Sequence, residues 1–220
     1  MERVFDIELK ELKDKLVYMS QIAEKMIELS LCSLVERNKE LAGQIFEHEQ
    51  EVNKLHIEVD ELCIRLLALR QPIAADLRFI TAAMKINSEL ERIGDQSVNI
   101  SENTAIYLDH PPLKPLIDLP RMAKITKEMV IDSLTSFVNE DVELAHSILK
   151  RDDEVDNLRN QIFRELLTYM LSDATTIHRA LCLILISRNI ERIADHATNI
   201  CEDVVFMTLG KDIRHHMMGK

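Results

Sequence analysis

The chain contains no tryptophan, only 4 glycines and 5 prolines in 220 residues, and 4% aromatic side chains. Sandwiches and barrels need frequent turns and β-prone side chains, so this scarcity argues against both. Cysteine is scarce too. Cys32, Cys63, Cys182 and Cys201 form no C-x-x-C pair and lie inside apolar periodic segments, where buried, reduced thiols are the simple reading. No stretch approaches the ~18–20 apolar residues of a membrane span. The opening MERVFDIELKELKDK alternates charged and apolar residues, which does not read as a signal peptide. A basic surplus is also missing: 27 Lys and Arg face 38 Asp and Glu, a formal net charge of -11. That is the wrong sign for gripping a nucleic-acid backbone. The expectation is a cytoplasmic protein with no membrane span and no nucleic-acid partner.

Hydrophobic residues nonetheless make up 46% of the chain, enough for a sizeable core. Their spacing is helical. Val52, Leu55, Val59, Leu62, Leu66 and Leu69 alternate steps of three and four, and Val155, Leu158, Ile162, Leu166 and Tyr169 repeat the pattern. The clearest interruption is Asp109-His-Pro-Pro-Leu-Lys-Pro-Leu116, which cannot be helix interior because proline lacks an N–H and clashes with the preceding turn. Weaker breaks complete a reading of six long helices, at about 4–36, 40–70, 73–108, 119–138, 140–171 and 174–209.

The halves resemble each other. Glu91-Arg-Ile-Gly-Asp95-Gln-Ser-Val-Asn99-Ile100 recurs one hundred positions later as Glu191-Arg-Ile-Ala-Asp195-His-Ala-Thr-Asn199-Ile200. Glu49-Gln-Glu-Val-Asn53-Lys-Leu55 matches Asp152-Asp-Glu-Val-Asp156-Asn-Leu158. The fold expected is all-α, two tandem three-helix bundles produced by duplication. The first repeat covers 1–108, a proline-rich linker 109–117, and the second repeat 118–220 with a frayed tail.

The E-x-x-x-D spacing sets two carboxylates one helical turn apart on one face. Ile73, Leu77, Ile80 and Met84 run into Glu91 and Asp95, and Ile177, Ala180 and Ile184 run into Glu191 and Asp195. A second apolar face carries Ile86, Leu90, Ile93 and Ile100. Acids continuing an apolar stripe need a counter-charge, since an unpaired buried carboxylate costs several kcal/mol. Two partners suit them. Arg92, Arg188 and Arg192 stand beside them in sequence, and a hard or borderline cation also fits oxygen ligands in a bundle. In the metal reading, Glu49 and Asn53 face Glu91 and Asp95, while Asp152 and Asp156 face Glu191 and Asp195. The second set has four carboxylates and the first has an amide at Asn53, so the second is expected to bind more tightly.

Here the sequence resembles the PhoU family, accessory regulators of phosphate-specific transport. The resemblance rests on Gln71-Pro-Ile-Ala-Ala-Asp-Leu-Arg78, on Glu91-Arg-Ile-Gly-Asp95, on Glu191-Arg-Ile-Ala-Asp-His-Ala-Thr-Asn-Ile-Cys-Glu202 and on Gly210-Lys-Asp-Ile-Arg-His215. It implies a cytoplasmic homodimer of paired three-helix bundles that binds iron or zinc, with magnesium or manganese as alternatives. It also implies negative regulation of the phosphate-starvation response, by bridging a sensor histidine kinase and the ATPase subunit of the phosphate importer.

The chain holds no P-loop, G-x-G-x-x-G, nucleophile elbow or H-E-x-x-H, so no catalytic residue is assigned. The enzyme alternative is a ferritin-like di-metal oxidase, but that fold needs E-x-x-H on two helices and the chain has it once, at Glu143 and His146. The third reading is a metal-free helical adaptor with arginine-paired acids. Arg78 and Arg179 are weak candidates for a phosphate contact, and His215 and His216 for a metal in the tail. His196 is either a partner of the acids or a surface residue.

Overall fold

A computed structural model describes residues 4–214. Helices α1 (Val4–Glu36), α2 (Leu41–Arg70) and α3 (Ala74–Leu108) precede the proline-rich segment. Helices α4 (Asp118–Asn139), α5 (Val142–Leu149), α6 (Asp152–Ser172) and α7 (Ile177–Leu209) follow it, with a 3-10 turn at Ala174–Thr176. Among the described residues there is no strand.

The duplication is visible in the turns. The N–H of Asn38 donates to the Ser33 carbonyl (3.0 Å), and the Ser33 hydroxyl donates back to the Asn38 carbonyl (2.8 Å). One repeat later, Asp141 and Ser136 make the same exchange at 2.9 and 2.7 Å. In both turns the residue before the returning N–H, Arg37 or Glu140, is left-handed with φ 56°. Each turn therefore satisfies the carbonyls orphaned at a helix end. Asp141 also caps α5, accepting from the Leu144 N–H at 2.9 Å.

One expected helix is divided. The span expected at 140–171 is α5 and α6, separated at Lys150 and Arg151. The Arg151 N–H reaches back only three residues, to Ile148, while its guanidinium pairs with Asp132 of α4. Asp152, Asp153 and Glu154 then crowd the first turn of α6, where negative charge favours the positive end of a helix dipole. That acidic triplet is a helix-start signal in the sequence.

One hydrophobic cluster runs through both halves. Ile86, Leu90, Ile93 and Ile100 of α3 are fully buried in it, as the second apolar face requires. Long helices α3 and α7 lie against each other and join the halves. Lys85 pairs with the buried Asp203 at 2.7 Å, and the Arg78 Nε donates to the Met207 carbonyl at 3.0 Å. Phe79 of α3 stacks on the buried Phe137 of α4, ring centroids 5.5 Å apart.

The proline-rich segment is tied to its surroundings. Arg37 donates to the His110 carbonyl at 2.7 Å, the Leu113 N–H donates to the Tyr107 hydroxyl at 3.1 Å, and Lys114 pairs with Glu165.

The other apolar stripe is corrected. Ile73, Leu77 and Ile177 are exposed, Met84 and Ile184 are half-buried, and only Ile80 and Ala180 of that stripe enter the core. Leu69, at the end of the α2 seam, is also exposed. Cys63, Cys182 and Cys201 are buried and Cys32 is half-buried; all four are free thiols. Burial pushes the Cys63 and Cys201 thiols up to about 12, which leaves them unreactive.

Candidate metal centres

Antiparallel packing of α6 on α7 brings the start of α6 beside the middle of α7. Asp152, Asp156 and Glu191 are half-buried there, and Asp195 lies at the solvent edge. They are close enough to repel one another. Burial first, and then Asp195, Asp156, Asp153 and Glu191, push the Asp152 carboxyl up to about 6. Burial, then Glu191 and Asp156, push Asp195 up to about 6 as well, against the opposing pull of His196 and Arg159. The charge on this group of acids is thus only partly compensated.

The α2–α3 pair repeats the arrangement with less charge. Glu49, Glu91 and Asp95 are all half-buried. The Glu49 carboxyl is raised by burial and then by Asp95, Glu102 and Glu91; that of Glu91 is raised by burial and then by Asp95. Asn53, one turn along α2 from Glu49, is exposed and its side chain makes no hydrogen bond among the described residues, and Glu102 is an added charged neighbour of Glu49.

The arginine partners differ from those expected. Arg92 pairs with Glu89 in its own helix at 3.3 Å, while Arg188 and Arg192 form no ion pair among the described residues. The cross-helix partner is Arg159 of α6, 3.4 Å from Glu191. Its equivalent in the first repeat, 103 positions earlier, is His56. The Nδ1 of His56 is buried with no hydrogen-bond partner among the described residues, its Nε2 lies 3.7 Å from Asp60, and the imidazole lies within electrostatic range of Glu91. Position 56/159 therefore supplies a candidate nitrogen ligand to one group and a fixed counter-charge to the other. Its signal is in the sequence, since His56 follows Asn53 and Arg159 follows Asp156 by three residues each, on the same helical face.

The chemistry of both donor sets suits a hard or borderline cation: carboxylate oxygens throughout, with one imidazole beside the first. Among the described residues no three His, Cys, Asp or Glu side chains converge closely enough to hold an ion together, so binding one requires side-chain movement. The remaining candidates are otherwise engaged. Arg78 and Arg179 donate to backbone carbonyls, of Met207 and Pro111. Glu143 and His146 sit on the short α5, with Glu143 exposed. His196 bonds Glu89 of the other half rather than an acid of its own repeat. His215 and His216 lie outside the described residues.

A duplicated all-helical protein with matched acidic groups on α2–α3 and α6–α7 is the class that these features define. The PhoU domain matches at residues 16–104 and again at 119–204, and the chain belongs to the PhoU family. It is 39% identical over 208 residues to a phosphate-specific transport system accessory protein PhoU homolog of Aquifex aeolicus, covering 94% of each chain. A protein of the same description from Zymomonas mobilis is 38% identical over 218 residues, covering 99% of this chain and 92% of the relative. The crystal structure of PhoU from Pseudomonas aeruginosa superposes with a TM-score of 0.91 at 33% identity, covering 94% of this chain and 100% of that one. The phosphate transport system regulatory protein PhoU of Streptococcus pneumoniae gives 0.86 at 29% identity, covering 94% and 98%. Among the described residues no helix is long and apolar enough to cross a membrane.

Proposed function

We propose that this chain is a non-catalytic regulator of phosphate uptake, acting as an adaptor between a sensor histidine kinase and the ATPase subunit of a phosphate transporter. In this reading it represses the phosphate-starvation response when phosphate is plentiful. Its relatives' names support the transport role, at 39% and 38% identity over nearly the whole chain. The observation that carries the metal part of the proposal is the pair of acidic groups, repeated across the duplication and short of counter-charge. A bound cation would supply that charge and stiffen α2 against α3 and α6 against α7. Asp152, Asp156, Glu191 and Asp195 would hold it in the second repeat; Glu49, Glu91 and Asp95 would hold it in the first, with His56 beside them.

A metal-free adaptor is the second reading, and the Arg159–Glu191 contact favours it for the second repeat. Elemental analysis of freshly purified protein separates the two. The adaptor role itself is tested by pull-down against the kinase's cytoplasmic region and the transporter ATPase, with and without chelator. Capture of both is expected, and capture of neither overturns the assignment.

A further inference from the structure

Helices α2 and α3 hold a polar cluster outside the two acidic groups. Asn87 of α3 is fully buried, and its Nδ2 donates to the His56 backbone carbonyl at 2.9 Å and to Asp60 Oδ1 at 3.0 Å. Two atoms here are closed off from solvent with no hydrogen-bond partner among the described residues, Asn87 Oδ1 and His56 Nδ1. Asp60 Oδ2 lies 3.7 Å from His56 Nε2, too far for a hydrogen bond. That separation of 3.7 Å is close to the ~3.4 Å between two ligand atoms of one tetrahedral ion. A buried polar atom without a partner is costly, so two at one level of one helix pair point to a missing group. Amide and carboxylate oxygens only accept, and a neutral imidazole has one bare nitrogen. All three lone pairs are met by a cation.

The duplication provides an internal comparison. The residues equivalent to His56, Asp60 and Asn87 in the second repeat are Arg159, Phe163 and Ser187. None takes the same part: Arg159 contacts Glu191, and the Ser187 hydroxyl donates to the Ile184 carbonyl of its own helix. The same helix pair therefore packs at this level without an imidazole, a carboxylate or an amide. Packing common to both repeats does not require the three polar side chains.

The surroundings favour a positive ion. Glu91, one turn beyond Asn87 on α3, adds negative charge within electrostatic range of the imidazole. The Asp60 side chain is 40% exposed, which gives an ion a route in and leaves room for water ligands. We propose that His56, Asp60 and Asn87 form a binding site for a borderline divalent ion of the first transition row, held by one imidazole nitrogen, one carboxylate oxygen and one amide oxygen. The imidazole favours the cobalt-to-copper end of that row over magnesium or calcium, which take oxygen ligands. Only two of the three donors are of the His, Cys, Asp or Glu kind, in keeping with the absence of any three of those converging among the described residues. The site needs neither acidic group, so it stands apart from the metal and adaptor readings above.

Competing donors are removed first, in the full chain carrying Glu49→Gln, Asp95→Asn, Glu191→Gln, Asp195→Asn, His215→Ala and His216→Ala. Isothermal titration of this chelator-treated protein with cobalt(II) chloride is expected to show one site per chain. Magnesium chloride should bind at least about tenfold more weakly. Pulsed electron paramagnetic resonance with substoichiometric copper(II) should show one coordinated imidazole nitrogen. Adding His56→Gln should remove that nitrogen signal. Adding Asp60→Asn, or Asn87→Ser with the second repeat's own residue, should weaken cobalt binding about 10–100-fold. Asp60 reaches the surface, so its variant keeps the test valid if the buried Asn87→Ser chain loses its helical circular dichroism. No cobalt binding up to ~1 mM overturns the proposal and leaves a water as the partner of the two buried atoms. A nitrogen signal that survives His56→Gln, or cobalt affinity unchanged by Asp60→Asn, overturns it as well. Cobalt binding by the parent chain that is lost in the six-residue variant assigns the ion to the acidic groups, which overturns this site and leaves that reading standing.

Discussion

Glu89 of α3 and His196 of α7 are joined across the two halves of the molecule, His196 Nδ1 lying 2.6 Å from a carboxylate oxygen. The Asn199 amide donates to the same oxygen at 3.0 Å. Burial raises the Glu89 carboxyl, yet the bonds from His196 and Asn199 hold it below the usual glutamate value, so it is ionised and can only accept. The proton therefore sits on Nδ1 of the ring. One hundred positions away the same places hold Asn189 and Gln96, and the Gln96 carbonyl oxygen is buried without a partner among the described residues. The duplicated interface carries its charged clasp once.

Glu89→Ala leaves the His196 ring and the Asn199 amide unpaired in a nearly closed site. It should cost about 2–3 kcal/mol in urea unfolding, with Glu89→Gln costing less because it keeps an acceptor. Equal stability of Glu89→Ala and the parent protein would show that the clasp contributes nothing.

Asp152 and Asp195 are both raised to about 6 from an ordinary 3.8. A carboxyl raised on folding binds its proton more tightly in the folded state, so stability falls as pH rises from about 4 to about 6 and the cost is fully present above that. In chelator-treated protein, Asp195→Asn should therefore raise the melting temperature at pH 7.5 by roughly 1–3 °C, modest because the site is partly open to solvent. The gain should vanish near pH 4. If a metal occupies the group, adding iron or zinc should stabilise the parent and leave Glu191→Gln/Asp195→Asn unmoved.

Arg159→Ala removes the counter-charge from the second acidic group. The contact is 3.4 Å long and its arginine is partly solvated, so a stability loss below about 1 kcal/mol is expected. Metal content by elemental analysis should rise, because Glu191 is released to serve as a ligand. Lower metal content would identify the arginine as part of the binding arrangement.

Gly94 stands where the second repeat has the fully buried Ala194. A methyl group added at Gly94 would meet the Val52 Cγ1 at 3.5 Å and the Met26 side chain at 3.6 Å, ordinary contact distances. Gly94→Ala should consequently stabilise the protein by about 0.5–1 kcal/mol, by restricting the unfolded chain and raising helix propensity. Destabilisation in denaturant melts would reveal a closer approach of α1 and α2 to α3.

The sequence by itself determined the helices, the duplication and the family, because apolar periodicity, scarce breakers and repeated motifs are local properties of the chain. It also brought Asp152, Asp156, Glu191 and Asp195 together, since i,i+4 spacing on two antiparallel helices leaves little freedom. Tertiary structure decided the rest. Asn53 stays in solvent and Arg159, rather than Arg188 or Arg192, reaches Glu191, because cross-helix partners depend on the rotation of one helix against the next. The interruption at Arg151 follows from a pairing with Asp132, nineteen residues away on α4. The same limit explains Ile73, Leu77 and Ile177, whose spacing reads as core although they lie on the surface. Periodicity fixes which side chains share a face, and only the neighbouring helices fix whether that face is covered.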